Sequence, residues 1–284
     1  MGGSEMTKLT GWRHWLRALG AICRKDLQVF LSYPFNVVMR VIEPVMWLAP
    51  ALFLGRAFEV GGSNPGLAAY TGTGDYVAFM VVGGIVGSYI SAVCWGMGFA
   101  LKNEMTAGVL ESNWLAPVPP LVQMVGRSLF SLVLTAINTV SAALVVWLLF
   151  GFDLTGTVLP VIVTLAPLIV ALYGFGLGLA AIVLITNNAN PFIDIGSFLL
   201  RALSGEGFPV TVLPRWLLSV SLAIPLTYAY DAVRGQLLGT TTLVPIGTGQ
   251  LIIVALIPVT LIPGLLVFRR IERRCRERGT LAQH

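Results

Sequence analysis

Several runs of apolar residues, each about 18 residues or longer, constrain this chain more than any other feature. Runs of that length with few charges are typical of helices that cross a lipid bilayer. Only 11% of the 284 residues are charged, against roughly 25% in soluble domains, and the mean hydropathy is +0.84. So few charges cannot cover a water-facing surface. The sequence therefore predicts an all-α integral membrane protein, and it excludes a soluble core and a nucleic-acid partner.

Turn residues between the apolar runs divide the chain into six predicted membrane crossings within a single transmembrane domain, residues 1–284. The crossings cover residues 36–53, 76–101, 121–150, 158–185, 192–203 and 243–268. The fifth is short for a full crossing. Pro209, Pro214 and Pro225 interrupt the hydrophobic stretch that follows it, so we expect short re-entrant helices over 205–239 on the outer side.

The segment before the first crossing, residues 8–32, has an amphipathic pattern. Trp12, Trp15, Leu19 and Ile22 share one helical face, while Arg13, Arg17 and Arg24 share another. Tryptophan prefers the level of the lipid headgroups. The pattern predicts a helix lying in the membrane surface, with an ordinary solvated helix as the alternative.

Basic residues set the predicted orientation of the chain. Eleven of the eighteen lie at its two ends: Lys8, Arg13, Arg17, Arg24, Lys25, Arg269, Arg270, Arg273, Arg274, Arg276 and Arg278. Because cytoplasmic segments carry an excess of Lys and Arg, both termini are predicted to be cytoplasmic. An even number of crossings follows, and the loops 57–75 and 205–242 then face outside.

The sequence offers no constellation for catalysis or metal binding. The two histidines lie at opposite ends of the chain, the three cysteines are far apart, and no G-x-x-x-x-G-K-[ST] phosphate loop occurs. We therefore predict no catalytic residue, no metal site and no cofactor on this chain. The charges Arg40 and Glu43, three residues apart in the first crossing, are either a structural pair or a substrate or proton site.

Two small-residue motifs lie in apolar helices, Gly83-x-x-x-Gly87 and Gly174-x-x-x-Gly178. Glycines four residues apart share one helix face and allow another helix to approach closely in lipid. Both motifs therefore allow close helix approach, but their specificity is low because glycine is common in spanning helices.

The insert 102–118 between the second and third crossings has an unusual composition for a cytoplasmic loop. It carries Met105, Val109, Leu110 and Leu115 among its polar residues. The pattern predicts a short helix that docks into a groove of a partner. A simple connecting loop is the alternative.

The motifs of this insert resemble a known family. Glu104-x-x-x-Gly108-Val109-Leu110-Glu111, followed by Leu115-Ala116-Pro117-Val118, is similar to the signature of ABC-2 type transporter permeases. Two later stretches also resemble the family: Gly207-Phe208-Pro209-x-x-x-Leu213-Pro214-Arg215-Trp216-Leu217, and Pro225-Leu226-Thr227-Tyr228 with Ala232-Val233-Arg234. Val109, Ile224, Arg201 and Glu206 depart from the family pattern.

The resemblance implies an architecture and a division of labour. It implies an interfacial elbow helix, six spanning helices, a cytoplasmic coupling helix and re-entrant outer helices between spans five and six. It places the ATPase contact on Glu104, Met105, Gly108, Val109, Leu110, Glu111, Leu115 and Pro117. An outer gate or exit would comprise Phe208, Pro209, Leu213, Pro214, Trp216, Pro225 and Tyr228, for which interfacial anchoring by aromatic residues is the alternative.

The function expected from this resemblance is export of an amphipathic or lipid-like substrate across a bacterial inner membrane. ATP and Mg²⁺ would be bound by a separate ATPase, present in two copies, and the permease would pair with itself or with a homologous permease. Two alternatives remain open, an ion-gradient-coupled carrier and a membrane-embedded lipid-modifying enzyme. The energy source distinguishes an exporter from an ion-gradient-coupled carrier. The exporter depends on a partner ATPase, whereas the carrier depends on an ion gradient.

Overall fold

A computed structural model describes residues 12–61, 63–106, 108, 119–150, 158–186 and 190–278 of the chain. The described residues form α-helices and their connections, with one isolated bridge between Val60 and Ser63. We number the helices in chain order. They are α1 (Trp12–Leu31), α2 (Pro34–Ala57), α3 (Pro65–Thr71), α4 (Tyr76–Thr106), α5 (Pro120–Phe150), α6 (Val158–Ile185), α7 (Asn190–Leu203), α8 (Arg215–Leu222), α9 (Pro225–Leu238) and α10 (Ile246–Arg278), with a 3₁₀ turn at Val210–Val212.

Four of these helices are long and apolar enough to cross a membrane. The qualifying stretches are Tyr76–Thr106, Pro120–Leu144, Leu159–Ile185 and Ile246–Cys275, in α4, α5, α6 and α10. The pair α8 and α9 would add a fifth if it formed one broken span. The chain is thus an α-helical, multi-pass membrane protein.

The first and fifth predicted crossings correspond to α2 and α7. The 24 residues of α2 include the predicted stretch 36–53, and Pro34 occupies its first turn, where proline is compatible with a helix. In contrast, α7 has 14 residues, which extend about 21 Å against a hydrocarbon core of about 30 Å. Six crossings therefore remain a prediction, and α7 needs the residues that follow it to complete one.

The N-terminal helix α1 packs on the beginning of α5. Side chains of Leu19 and Ile22 lie against Gly126, and the rings of Phe30 and Phe130 meet edge to face at 6.4 Å. These contacts place one apolar face of α1 against the helix bundle. Its location in the membrane surface remains a prediction.

Prolines define the two helices after α7. Pro214 precedes α8, and Pro225 begins α9 after an extended residue, Ile224. The two helices meet at an angle of 86°. The hydroxyl of Thr227 donates to the carbonyl of Ser221 at 2.6 Å, and that of Tyr228 donates to the carbonyl of Leu222 at 2.9 Å, so the bend is fastened by side chains of α9.

The core lies around α4 and along the seam between α6 and α10. In α4, Val86, Ile90 and Met97 are fully buried. The α6 and α10 helices form the most extensive helix pair, because Gly174 and Gly264 let the two backbones touch. Close approach is thus confirmed at Gly174. It is not found at Gly178, where a Cβ would meet nothing within 4 Å.

Candidate functional site

Long-range polar contacts gather at the two ends of α4. One end carries Lys102 and Glu104, which belong to the predicted coupling segment 102–118 and form the end of α4. The other carries Gly83 and Gly87, beside the chain that follows α7. We describe the first as the coupling end and the second as the outer end.

At the coupling end, a buried carboxylate joins α4 to α5. Glu104 and Arg127 form an ion pair of 2.5 Å, in which the Glu104 side chain is only 7% exposed. A buried carboxylate without its partner would carry a desolvation penalty of several kcal/mol. The pair therefore fixes the two helices that enter and leave the insert 102–118.

A second contact joins α4 to α7 at the same end. The Lys102 ammonium donates to the side-chain oxygen of Asn190 at 2.8 Å and lies 5.5 Å from the centre of the Phe99 ring. Three helices, α4, α5 and α7, are thus connected where the predicted ATPase contact begins.

The predicted ATPase-contact residues divide into three groups. Glu104 and Met105 are buried inside the chain, at 6% and 7% exposure, so in this conformation they support the segment from within. Gly108 is exposed and left-handed, with φ +65°, and its N–H donates to the carbonyl of Met105. The remaining members lie outside the described residues: Val109, Leu110, Glu111, Leu115 and Pro117.

At the outer end, Arg234 of α9 is buried and held by backbone carbonyls. Its guanidinium donates to the carbonyls of Phe79 at 3.3 Å, Gly205 at 2.8 Å and Glu206, and lies 3.5 Å from the centre of the Phe79 ring. The three bonds offset the cost of burying this charge. The side chain binds α9 to α4 and to the turn that follows α7.

The same turn contains an ion pair with two parallel hydrogen bonds. Arg201 Nε and an Arg201 terminal nitrogen donate to the two carboxylate oxygens of Glu206, both at 2.6 Å. A further Arg201 nitrogen lies 3.5 Å from the hydroxyl of Ser91, which is the central residue of α4. These two charges, which depart from the family pattern, neutralise each other beside the middle of α4.

The motif Gly83-x-x-x-Gly87 forms the notch that receives this network. A Cβ at Gly83 would collide with the Glu206 carbonyl, and one at Gly87 would lie 2.6 Å from a Glu206 carboxylate oxygen and 2.9 Å from the Tyr230 hydroxyl. Close approach at this motif is confirmed. The neighbours of this motif are the turn at Glu206 and the short helix α9 rather than one long helix, and the glycine spacing alone does not predict them.

The predicted outer gate residues fall into two environments. Phe208 and Pro209 line a cavity of about 50 Å³ together with Tyr230 and Arg234. Trp216 is 71% exposed on α8, as expected of a side chain that contacts lipid. Of the other predicted gate residues, Pro225 and Tyr228 are buried at the α8–α9 bend, while Leu213 and Pro214 precede α8.

Arg40 and Glu43 belong to α2, but their side chains lie outside the described part of the chain. Within the described residues, no group of His, Cys, Asp or Glu is arranged to hold a metal ion. Cys23, Cys94 and Cys275 form no disulfide.

A comparison with protein-family models matches residues 17–238 to the family described as ABC-2 type transporter. The matched region begins within α1 and ends with α9, and it includes both ends of α4. A comparison with curated proteins finds no match.

Proposed function

Because the chain belongs to the ABC-2 type transporter family, and is therefore the permease component of an ABC-type transporter, we propose that it exports an amphipathic or lipid-like substrate. ATP hydrolysis on a separate ATPase supplies the energy. This assignment rests on the family match over more than three quarters of the chain. The absence of a phosphate loop in the sequence supports a separate ATPase.

The surface of α4 supports an amphipathic substrate. One face of this helix is half-exposed from Gly84 to Lys102, at spacings of three and four residues. The face consists of Gly84, Ser88, Ser91, Trp95, Phe99 and Lys102. Hydroxyls and a charge beside two large aromatic rings suit a molecule that has both a polar and an apolar part.

The direction of transport and the orientation of the chain in the membrane belong to the same proposal. Both termini are cytoplasmic in a bacterial inner membrane, and the coupling end of α4 faces the cytoplasm. Glu104–Arg127 and Lys102–Asn190 lie at that end, whereas the contacts of Arg234 and the bond from the Thr241 N–H to the Thr71 carbonyl lie at the other. This separation supports six crossings, with α7 and the turn 204–207 forming the fifth.

The partners follow from the family. Two ATPase copies and a second permease, identical or homologous, complete the transporter, and ATP and Mg²⁺ bind to the ATPases. The proposed contact begins at Thr106 and Gly108, which are exposed, and includes Glu111. Glu104 and Met105 position that segment from inside.

An ion-gradient-coupled carrier is the second candidate, favoured by one observation, the Arg201–Glu206 pair at membrane depth. The two functions differ in their energy source. Inverted membrane vesicles that contain the permease and its co-expressed ATPase should accumulate a lipophilic fluorescent dye when ATP is added, and a protonophore should leave the uptake unchanged. Uptake that needs the proton gradient and no ATP would favour the carrier.

The proposed coupling between the ATPase and the permease allows a sharper test of the proposed function. The Glu104→Arg variant and the Arg127→Glu variant should each lose most ATP-driven uptake, because each leaves like charges together in a buried site. The combined exchange restores an ion pair and should recover uptake and ATPase stimulation. The controls reverse two exposed charges in the same way, by Glu59→Arg and Arg215→Glu, and each variant should remain near wild type. Losses as large in these controls as in the Glu104 and Arg127 variants would contradict a positioning role for Glu104.

A further inference from the structure

The last helix is much longer than the membrane is thick. The 33 residues of α10 extend about 50 Å, whereas the hydrocarbon core measures about 30 Å. Its apolar part begins at Ile246, and its final three turns are rich in arginine. The arginines therefore begin where the helix emerges among lipid headgroups.

The two sides of α10 have different surroundings. Phe268 is fully buried, and the Cys275 sulfur lies 3.9 Å from the carbonyl of Leu184, so this side faces α6. The opposite side is exposed. It carries Val259, Ile262 and Leu266 at 62%, 54% and 60% exposure.

This exposed side continues without a break into exposed arginines. Positions 259, 262, 266, 269 and 273 are separated by three and four residues, so they form one stripe along the helix. Arg269 and Arg273 are exposed on it, and Arg270 is exposed next to it. Arg273 also pairs with Glu277 at 2.8 Å, an exposed contact that costs little to exchange.

We propose that this stripe binds an anionic phospholipid. The acyl chains pack along Val259, Ile262 and Leu266, and the guanidinium groups of Arg269, Arg270 and Arg273 bind the headgroup phosphate. Guanidinium forks match the geometry of phosphate oxygens. The proposal needs a membrane protein, which the fold provides, and is independent of export and of the partner ATPase.

Charge argues against a second copy of the chain as the occupant of this stripe. Two identical stripes related by a twofold axis would bring Arg269 and Arg273 close to the same residues of the other copy. Like charges in such a contact repel each other. An anionic lipid instead brings the opposite charge.

Lipid retention tests the proposal directly. The full chain, purified in detergent, is mixed with equal amounts of phosphatidylglycerol and phosphatidylcholine, and bound lipids are counted by native mass spectrometry. We expect phosphatidylglycerol to be retained about tenfold over phosphatidylcholine. The Arg269→Gln, Arg270→Gln, Arg273→Gln triple variant should lose this preference.

The control removes three other exposed basic charges, by Arg24→Gln, Lys25→Gln and Arg215→Gln, and should keep the preference. An equal loss in the control would show general charge attraction and overturn the site. A change of oligomeric state in the Arg269, Arg270, Arg273 variant would assign the stripe to a second copy and also overturn it. Thermal unfolding in phosphatidylcholine should be the same for all three proteins, since the altered side chains are exposed.

Discussion

Gly108 ends α4 in a left-handed backbone conformation, and this conformation explains why glycine is needed there. A Cβ at Gly108 would meet no described atom within 4 Å, so within the chain the requirement is for φ +65° rather than for space. Asparagine tolerates this region better than alanine or valine does. The residue thus turns the chain out of α4 toward the proposed ATPase contact.

Substitution at Gly108 separates backbone conformation from clearance against the partner. Gly108→Ala should cost about 1 kcal/mol and reduce ATPase stimulation in the reconstituted complex, while Gly108→Asn should retain more of it despite its larger side chain. Stimulation is measured as ATP hydrolysis with and without permease. The reverse order, with alanine active and asparagine inactive, would show that the partner's groove excludes a side chain.

The Arg201–Glu206 pair is a second feature at the scale of single residues. Both side chains are largely buried, at 20% and 17% exposure. Glu206→Gln leaves the Arg201 charge without its bidentate partner and should destabilise the permease by about 3 kcal/mol, the low end for a broken buried pair. Thermal unfolding of the purified permease measures this loss.

Removal of both the Arg201 and the Glu206 charge tests whether stability depends on the ion pair or on the Glu206 carboxylate itself. Because replacing both members of a buried pair is often close to neutral, Arg201→Gln with Glu206→Gln should regain most of the lost stability. The backbone carbonyl of Glu206, which binds Arg234, is unchanged in both variants. A double variant as unstable as Glu206→Gln would mean that the carboxylate has another essential partner.

At the scale of helices, the seam between α6 and α10 depends on one glycine of a pair. A Cβ at Gly174 would collide with the backbone at Thr260, while one at Gly178 would meet nothing within 4 Å. Gly174→Ala should therefore destabilise the permease by about 1–3 kcal/mol. Gly178→Ala, the same change one turn away, should be neutral or stabilising by up to about 1 kcal/mol, as judged by thermal unfolding. Equal effects would contradict the seam.

Helices were more predictable from this sequence than their contacts. The apolar runs predicted α4, α5, α6 and α10, and Pro225 with the glycine-rich turn after α7 marked the boundaries between α7 and α9. These signals are local, because proline and glycine act on their own backbone. The type and approximate ends of these helices therefore follow from the sequence. The short helix α3 (Pro65–Thr71) does not, because it lies within the predicted loop 57–75.

Which face of a helix is buried was less predictable, because the interior of a lipid bilayer and the interior of a protein are equally apolar. In α4, hydrophobic residues lie on both the buried and the half-exposed side, so the sequence pattern does not distinguish a buried Val86 from a half-exposed Trp95. The notch at Gly83 and Gly87 was visible as a motif, but its partners Glu206 and Arg234 come from distant parts of the chain. The resemblance assigned Glu104 to the ATPase contact, and the structure adds its ion pair with Arg127. That pairing joins two different helices, so the local motif gave no signal for it.

At the scale of the whole molecule, the two polar ends of α4 define two sides of the protein. The coupling end includes Thr106 and lies near Cys275 through the contact of α10 with the end of α6. The outer end includes Thr211 and Thr241, which flank the bent pair α8 and α9 and are both exposed. If α8 and α9 are re-entrant, these two threonines lie on the same side of the membrane.

Cysteine labelling in intact cells tests this arrangement. In a background without Cys23 and Cys94, cysteines at Thr211 and Thr241 should react with an impermeant maleimide added outside. Thr106→Cys and the natural Cys275 should react only after the membrane is permeabilised, because both belong to the coupling end. Labelling of Thr241→Cys but not Thr211→Cys would make α8 and α9 one broken crossing and α7 a helix that does not cross. Labelling of Thr106→Cys in intact cells would reverse the orientation and place the proposed ATPase contact on the wrong side of the membrane.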